Sequence, residues 1–458
     1  MKRGRVGRGV WAVCCVLALS GTLVACAEDG GTGGTGDEGG GTAAGSDCAQ
    51  FEKYGDLSGT TVTVFTPIVA PEDQPHIDSY QPFEDCTGAT IAYEGSDEFE
   101  AQLNVRVEGG NAPDIAYVPQ PGLLRTLVSQ TDAVMPAPKE TEANVDEYWS
   151  REWKEYGTVD GTFYAAPVGA NVKSFIWYSP TAFQGNDYQV PQTWEQLIEL
   201  SDQIVADGGK PWCAGIASGD ATGWPATDWL EDVMLRVHGP EVYDQWTNHE
   251  IPFDDERVAE VLQRTGSILK NPDYVNGGLG DVRSIAATSD ADAGLPILEE
   301  QCYLHRAASF YQANWPEGTE ISENGDVFAF YFPSIDEQHG NPVLGAGEFA
   351  VAFDDRPEVQ AFQTYLSSPE WANRKAELGN WISANQGLDI ENVDTEINRL
   401  SVELLQDSES VFRFDASDMM PGEIGADALW SEMEEWFATD KSDQAVLRSV
   451  ERAWNRLD

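Results

Sequence analysis

The sequence predicts an α/β protein with two globular units. Residues 60–118 alternate strand and helix patterns in the order β-α-β-α-β, and a second alternation begins near residue 174. Alternation of this kind favours a largely parallel sheet with helices on both faces. The chain has 458 residues, of which 41% are hydrophobic, and this is more than a single core usually holds. Two α/β lobes are therefore expected.

Residues 1–25 have the pattern of a bacterial lipoprotein signal peptide. Basic residues precede an apolar run at 10–19, which is far shorter than the ~20 residues that cross a bilayer. The segment Leu23-Val24-Ala25 follows and ends in a small residue directly before Cys26, as at a signal-peptide cleavage site. We expect cleavage before Cys26 and acylation of this residue, including palmitate-type chains, which would anchor the protein at the extracellular face of the plasma membrane. An uncleaved anchor is the alternative.

Residues 26–46 are interpreted as the lipidated cysteine and a glycine-rich tether. Residues 27–46 contain no aromatic or branched aliphatic side chain, so they cannot form a core. A flexible coil of this length reaches roughly 25 Å, which separates the globular part from the bilayer. The G-x-G-x-x-G match at 31–36 lacks the flanking strand and helix of a dinucleotide site, and we give it no functional meaning.

The elements of the first unit follow from their hydrophobic patterns. Alternating or β-branched residues predict strands at 60–65, 90–93 and 115–118. Between the second and third strands, Phe99, Leu103 and Val107 recur at helical spacing. Ligands of parallel sheets bind at the loops that leave the strand C-termini, which here are residues 66–74, 94–98 and 119–122.

A second α/β unit follows the hairpin turn Asp160-Gly161. Thr193 caps its first helix, and Gln196 completes a capping box. Further strands are predicted at residues 174–178, 212–217, 304–310, 327–332 and 349–353. A loop at 218–227 precedes a helix from Asp228, and two amphipathic helices close the chain.

Of the seven cysteines, four remain once the signal peptide and the lipidation site are set aside. Four cysteines can pair in three ways. We favour Cys48 with Cys86 and Cys213 with Cys302, because each bridge then stays within one half of the chain and the compartment permits oxidation. No C-x-x-C or H-x-x-H spacing occurs, so a metal site is not expected.

The formal net charge of −51 limits the classes of molecule that the protein is expected to bind. A strongly acidic surface repels nucleic acid and anionic lipid headgroups, so neither is expected as a ligand. A neutral or cationic small molecule stays possible. The simplest role of the charge is to keep an exported protein soluble.

Six stretches resemble the extracellular solute-binding proteins of bacterial ABC importers, in the branch of maltose and alpha-glucoside receptors. They are residues 113–119, 161–168, 191–197, 221–229, 239–246 and 413–422. The resemblance implies a two-lobed periplasmic-binding-protein type II fold with three interlobe crossings and a central ligand cleft. It also implies a monomeric, non-catalytic receptor without a cofactor, which binds an alpha-glucoside or related oligosaccharide and delivers it to the transmembrane permease subunits.

The resemblance also places the lobes. Crossings are expected near residues 166–171, 332–335 and 381–386. The N-terminal lobe would then comprise residues 47–168 and 334–382, and the C-terminal lobe residues 169–333 and 383–458.

Matching the family's cleft positions gives the candidate ligand-binding residues. Those in the three loops of the first lobe are Asp73, Glu94, Asp97 and Gln120. The hinge position carries Asn171, where this family often has an acidic residue. The matching positions in the second lobe are Trp224 and Asp228 in the loop before a helix, Phe310 at a strand end with His305 and Arg306 nearby, and Asp415, Asp418 and Trp430 after the last crossing.

These residue types suit a sugar for physical reasons. A pyranose has apolar C–H faces that stack on aromatic rings, and its hydroxyl groups pair with carboxylates and amides. Each assignment has a structural alternative, since aromatic residues usually lie in cores and most of the 78 acidic residues are solvated.

Two other functions compete with a sugar receptor. An acidic cleft would also suit a polyamine or another cationic or neutral solute. A secreted glycoside hydrolase would need a pair of carboxylates, which nothing in the sequence marks. The G-x-S-x-G and H-E-x-x-H motifs are missing too.

Overall fold

The computed structural model describes residues 48–276, 281–379, 381–407 and 410–457. The predicted signal peptide, Cys26 and the tether lie outside these residues. Within them, no helix combines the length and the hydropathy that a membrane crossing requires.

The strands, in chain order, are β1 (Thr61–Thr66), β2 (Thr90–Gly95), β3 (Ile115–Val118), β4 (Thr158–Val159), β5 (Thr162–Phe163), β6 (Ala165–Pro167), β7 (Asn171–Val172), β8 (Phe175–Tyr178), β9 (Trp212–Cys213), β10 (Val275–Asn276), β11 (Leu304–Arg306), β12 (Phe328–Tyr331), β13 (Asn341–Ala346), β14 (Phe349–Ala352) and β15 (Ser410–Phe414). The α-helices are α1 (Asp73–Ser79), α2 (Gln81–Thr87), α3 (Phe99–Glu108), α4 (Pro121–Gln130), α5 (Lys139–Tyr148), α6 (Arg151–Tyr156), α7 (Pro180–Asn186), α8 (Trp194–Ala206), α9 (Trp224–Thr247), α10 (Glu256–Leu269), α11 (Asp290–Ala293), α12 (Pro357–Leu366), α13 (Pro369–Glu377), α14 (Glu396–Gln406), α15 (Ala416–Met419), α16 (Trp430–Ala438) and α17 (Asp443–Trp454).

The first sheet has the order β2-β1-β3-β14-β6. Strand β1 pairs in parallel with β2 and β3, whereas β14 is antiparallel to both of its neighbours. Alternate residues of each strand face opposite sides. In β3, Ile115 and Tyr117 therefore join one hydrophobic cluster, while Ala116 and Val118 join another. Both faces of this sheet are consequently covered, as expected for an α/β sheet.

The second sheet has the order β10-β9-β11-β8-β12 and lies in its own large core. Strand β9 is parallel to β10 and β11, and β8 is antiparallel to β11 and β12. Long helix α9 is buried along much of its length and contains a kink at Gly239. Helices α16 and α17 also contribute buried side chains to this core, so the last part of the chain folds onto the second sheet.

A third, smaller sheet joins the two larger ones. Its order is β15-β13-β7, and its strands lie in the stretches of chain that run between the two main sheets. Val343 and Leu344 of β13 pack in the core around the second sheet. The chain returns to the first sheet only after β13, about a dozen residues beyond the predicted crossing at 332–335. The lobe boundaries themselves stay a prediction.

Both predicted disulfides are confirmed. Cys48 bonds to Cys86, with a sequence separation of 38, and Cys213 bonds to Cys302, with a separation of 89. The first bridge ties the N-terminal 3-10 turn to α2, and the second ties β9 to the residues just before β11.

Two predicted elements around the cleft are wrong in their bounds. The loop expected at 218–227 ends at Gly223, whose φ of 116° starts α9 at Trp224, with Pro225 in the first turn. The strand expected at 304–310 ends at Arg306, and residues Ser309–Asn314 form a 3-10 turn. Trp224 and Asp228 are thus helical, and Phe310 is not at the end of a strand.

Candidate functional site

A cavity of about 290 Å³ lies between the loops of the first sheet and the helices of the second. The first sheet contributes residues from the three loops after β1, β2 and β3. Because these strands are parallel, their C-terminal ends meet at one edge of the sheet and the loops converge. The second sheet and the connecting segments supply the opposite wall.

The first wall is rich in groups that accept hydrogen bonds. Glu72 immediately precedes α1, Asp97 and Glu100 lie at the start of α3, and Gln120 is the N-cap residue of α4. The Gln120 amide donates to Glu100 at 2.8 Å, and this bond holds the two side chains together. Carboxylates and an amide in this arrangement are suited to ligand hydroxyl groups.

The opposite wall is aromatic. Trp224 begins α9, and its ring centroid lies 6.0 Å from that of Phe310, with the planes tilted by 52°. Trp430 begins α16, and its indole N–H donates to the Ser417 hydroxyl at 3.2 Å, which orients the ring. The three rings line the same cavity and present apolar faces to it.

Lys173 forms the charged floor of the cavity. Its ammonium contacts Asp228 at 2.9 Å and Asp415 at 2.5 Å, and all three side chains are buried. Arg306 extends the network, since it pairs with Asp228 at 3.0 Å and with Asp232 at 2.6 Å. Burial alone would lower the pKa of Lys173, but the two carboxylates beside it raise that pKa well above its ordinary value. The lysine is therefore a stable cation.

The same carboxylates explain why a metal-like cluster is not a metal site. Asp228, Glu231 and Asp415 place oxygen atoms within 4.8 Å of one another. Two of these carboxylates pair with Lys173, and Glu231 accepts from the backbone N–H groups of Ala416 and Ser417 at 3.1 and 3.2 Å. The oxygens already have protein donors, so the cluster is structural.

Several carboxyl groups at the cavity hold protons more tightly than usual. Burial, with a smaller contribution from Glu348, raises the pKa of Glu72 to about 8. Burial also raises the pKa of Glu100 to about 7 and that of Asp290 to about 6. Near neutral pH these groups can therefore donate as well as accept hydrogen bonds.

Two hydrogen bonds connect the two walls. The backbone N–H of Ala101 donates to the Asp220 carboxylate at 3.0 Å, and the Arg125 guanidinium donates to the Met419 carbonyl at 2.7 Å. Asp220 thereby caps α3 from the opposite wall, while the helix's own N-cap residue, Glu98, makes no side-chain capping bond among the described residues. The cleft is closed in this structure.

Most of the predicted site residues come together at this cavity. Those that line it are Asp97, Gln120, Asn171, Trp224, Phe310, Asp418 and Trp430.

Four predicted residues do not line the main cavity. Asp73 lies in the first turn of α1 and accepts from the N–H of Gln74, and Glu94 forms an ion pair with Arg106. Asp415 lies beneath the cavity in the Lys173 network. Asp228 belongs to that network too and lines only an adjoining space of about 20 Å³, with His305 and Arg306.

Sequence reasoning missed the lining residues Glu72, Glu100, Lys173, Asp290 and Glu348. Two of these carried a usable signal. Lys173 is the lone charge in the apolar stretch 165–178, and Glu348 is a lone acid before the buried strand β14. A charge inside an apolar stretch indicates either a buried ion pair or a site.

The raised pKa of Glu72 predicts a pH dependence of stability. Its folded-state pKa of about 8 lies above the ordinary value of about 4.5, so the folded state binds more protons between these limits and stability falls as pH rises. Glu348 and Asp290 reinforce the shift, and Lys375 opposes it. From pH 5 to pH 7.5, the Glu72→Gln variant should gain about 3 kcal/mol relative to wild type in the free energy of unfolding.

Urea denaturation at both pH values measures this change. Glu94→Gln is the matched control, because pairing with Arg106 lowers the pKa of Glu94 in the folded state, and the ordinary pKa of about 4.5 leaves it mostly ionised in the unfolded state over this range. Equal pH dependence in wild type and Glu72→Gln would contradict the assignment.

Comparisons with known proteins agree with the two-sheet architecture. Of the solved structures, the bacterial solute receptor AcbH has a TM-score of 0.74 at 18% identity over 87% of this chain and 99% of that one. Maltose-bound T. maritima MalE3 has a TM-score of 0.67 at 14% identity, covering 87% of this chain and 100% of that one. These likenesses show the fold, which is the two-lobed type II fold of periplasmic binding proteins.

Two sequence relatives are more similar. The osmoprotective compounds-binding protein GgtB of Synechocystis sp. is 37% identical over 402 residues, which is 88% of this chain and 94% of that protein. The alpha-glucosides-binding periplasmic protein AglE of Rhizobium meliloti is 37% identical over 424 residues, which is 89% and 90% of the two chains. Both relatives are binding proteins, and so are the fold neighbours, as expected for a receptor that is not an enzyme. The bacterial extracellular solute-binding protein family matches residues 63–373, and the chain belongs to this family.

Proposed function

We propose that the protein is the lipid-anchored receptor of an ABC sugar importer and captures an alpha-glucoside between its lobes. The observation that carries the proposal is the pairing of aromatic faces on one wall with carboxyl and amide groups on the other. Trp224 and Phe310 offer the apolar surface, and Glu72, Glu100 and Gln120 offer the polar partners. A sugar ring needs both kinds of surface at once.

The closed cleft supports the same function. A ligand that touches both walls binds the closed form more tightly than the open form, and this differential affinity drives closure. The cross-wall bonds of Asp220 and Arg125 are made only when the walls are together. Closure would thus signal occupancy to the permease.

The relatives favour a glucoside among the possible sugars. AglE is named for alpha-glucosides, and GgtB for osmoprotective compounds. Their similarity extends over 88% and 89% of this chain. The proposed ligand is therefore a small alpha-glucoside or a related oligosaccharide.

A cationic solute such as a polyamine is the second candidate, because Asp97, Asp290 and Glu348 also line the cavity. The stable Lys173 cation on the floor and the aromatic wall favour a neutral sugar instead. Isothermal titration calorimetry of the purified protein with maltose, trehalose, longer glucosides, spermidine and peptides separates these classes. Heat from a glucoside supports the proposal, and tight binding of spermidine or peptide without any glucoside binding overturns it.

Loss of the Trp224 ring should weaken glucoside binding by about 100-fold, since a buried stacking aromatic contributes about 2 to 4 kcal/mol. The measurement is the Kd of Trp224→Ala by calorimetry, with circular dichroism to confirm folding. Phe330→Ala removes a partly buried aromatic side chain from β12 of the same lobe, away from the cavity, and should leave the Kd unchanged. Unchanged affinity in folded Trp224→Ala would refute the stacking role.

The lipid anchor rests on Leu23-Val24-Ala25-Cys26. Cys26→Ser should abolish lipid attachment, because the thiol that carries the diacylglycerol is gone. Labelling cells with radioactive palmitate and fractionating membranes should then show unlabelled protein that is unprocessed or shed. Cys14→Ser, within the signal peptide, is the control and should label normally. Processed, membrane-held Cys26→Ser at wild-type levels would contradict the proposed anchor.

A further inference from the structure

A smaller space of about 50 Å³, lined by both polar and apolar side chains, adjoins the main cavity. It lies where the segments that connect the two sheets meet. We call it the hinge chamber, and its polar and charged lining includes Glu72, His76, Asn171, Glu348, Lys375 and Trp381. Glu72, Asn171 and Glu348 line the main cavity as well, so the two spaces are direct neighbours.

Three side chains of the hinge chamber carry polar atoms without a hydrogen-bond partner in the described structure. These atoms are His76 Nδ1, Asn171 Oδ1 and Trp381 Nε1. The residues are only 5%, 8% and 8% exposed, so water outside the protein does not satisfy them. Buried polar groups are nearly always paired. They come from α1, β7 and the segment after α13, and three such distant elements meet here around one space.

Gly169 lies against two side chains of the hinge chamber. A Cβ atom at Gly169 would lie 2.5 Å from the Glu348 carboxylate and 2.9 Å from Trp381 Nε1. The absence of a side chain at Gly169 lets both groups pack against the backbone there. Lys375, which is 1% exposed, bonds only weakly to the Gly379 carbonyl, at 3.4 Å.

The chemistry of the hinge chamber is that of a hydroxyl partner. Trp381 and Lys375 offer donors, whereas Asn171, Glu72 and Glu348 offer acceptors. A hydroxyl group both donates and accepts, so it can use both sets at once. A volume of about 50 Å³ holds a few water-sized groups, since one water needs about 10–15 Å³ by the same measure, and it is too small for a pyranose ring.

We propose that the hinge chamber is a subsite for one hydroxyl-bearing arm of the bound sugar, no larger than a hydroxymethyl or hydroxyethyl group. This inference rests on the proposed function and narrows its ligand class. The arm that enters the chamber cannot end in a further sugar ring. The receptor thus selects small glucosides at this end of the cleft, while the aromatic wall holds the ring.

Two pairs of ligands, each differing by one hydroxyl, test the proposal on the purified full-length protein. One pair is methyl α-D-glucopyranoside and its 6-deoxy analogue, which probes the hydroxymethyl of the ring. The other is 2-hydroxyethyl and ethyl α-D-glucopyranoside, which probes the aglycone. Wild type should prefer the hydroxylated member of at least one pair by about 10-fold, as expected for a buried hydrogen bond.

The Trp381→Phe variant should lose that preference, because it keeps an aromatic ring but removes the N–H donor. Trp246→Phe is the matched control: Trp246 Nε1 also has no partner within the described residues, yet it lies in the core of the second sheet and lines neither space. This control should keep the preference. If Trp381→Phe lowers the melting temperature markedly, His76→Phe replaces it in the same comparison.

The possible outcomes distinguish a failure of the hinge-chamber subsite from a failure of the proposed function. A wild type that binds maltose or trehalose but discriminates in neither pair overturns the subsite, and so does a preference that persists in both Trp381→Phe and His76→Phe. A wild type that binds no glucoside at all overturns the proposed function, and the subsite falls with it.

Discussion

The buried ion network around Lys173 is the constraint on which the cleft depends. Lys173 follows β7, where the chain has just left the first sheet. Its ammonium group pairs with Asp228 on α9 and with Asp415 at the start of α15. Arg306 then links Asp228 to Asp232. Removing one partner of a buried pair leaves an uncompensated charge and typically costs about 3–5 kcal/mol. The network therefore determines how α9 and α15 sit against the connecting strands.

The position of the aromatic wall follows from this network. The Lys173 ammonium lies 5.1 Å from the centroid of the Trp224 ring, and Trp224 stands one helical turn before Asp228 on α9. The ion pair that holds Asp228 thus also places the ring at the cavity. On the other wall, parallel strands bring three loops to one edge, and their carboxyl groups keep protons because burial raises the pKa of Glu72 and Glu100. The result is a closed space that offers both apolar faces and adaptable hydrogen-bonding groups.

Local patterns in the sequence predicted what local physics determines. Alternation of β-branched residues predicted β1, and helical spacing predicted the buried face of α3. The third sheet could not be predicted in this way, because its strands pair across long separations in the sequence. Ala346 pairs with Asn171, for example, and Asn341 with Ser410.

The candidate site shows the same difference between what the sequence could predict and what depends on contacts between distant segments. Trp224 and Phe310 were identified through resemblance and do line the cavity, although both lie in different elements from those predicted. Asp228 and Asp415 were expected to contact the ligand, but both form ion pairs with Lys173. That pairing depends on contacts between distant segments. Acidic composition alone cannot separate carboxylates that hold a lysine from carboxylates that hold a sugar.

The most direct test of this account is a crystal structure of the protein with trehalose or maltose. The account predicts electron density for a glucose ring between the two sheets, against the Trp224 face, with one of its hydroxyl-bearing arms in the hinge chamber and the Asp220 contact to α3 intact. A sugar bound outside the cleft, or no sugar density in the cleft of crystals grown with saturating trehalose or maltose, would contradict it.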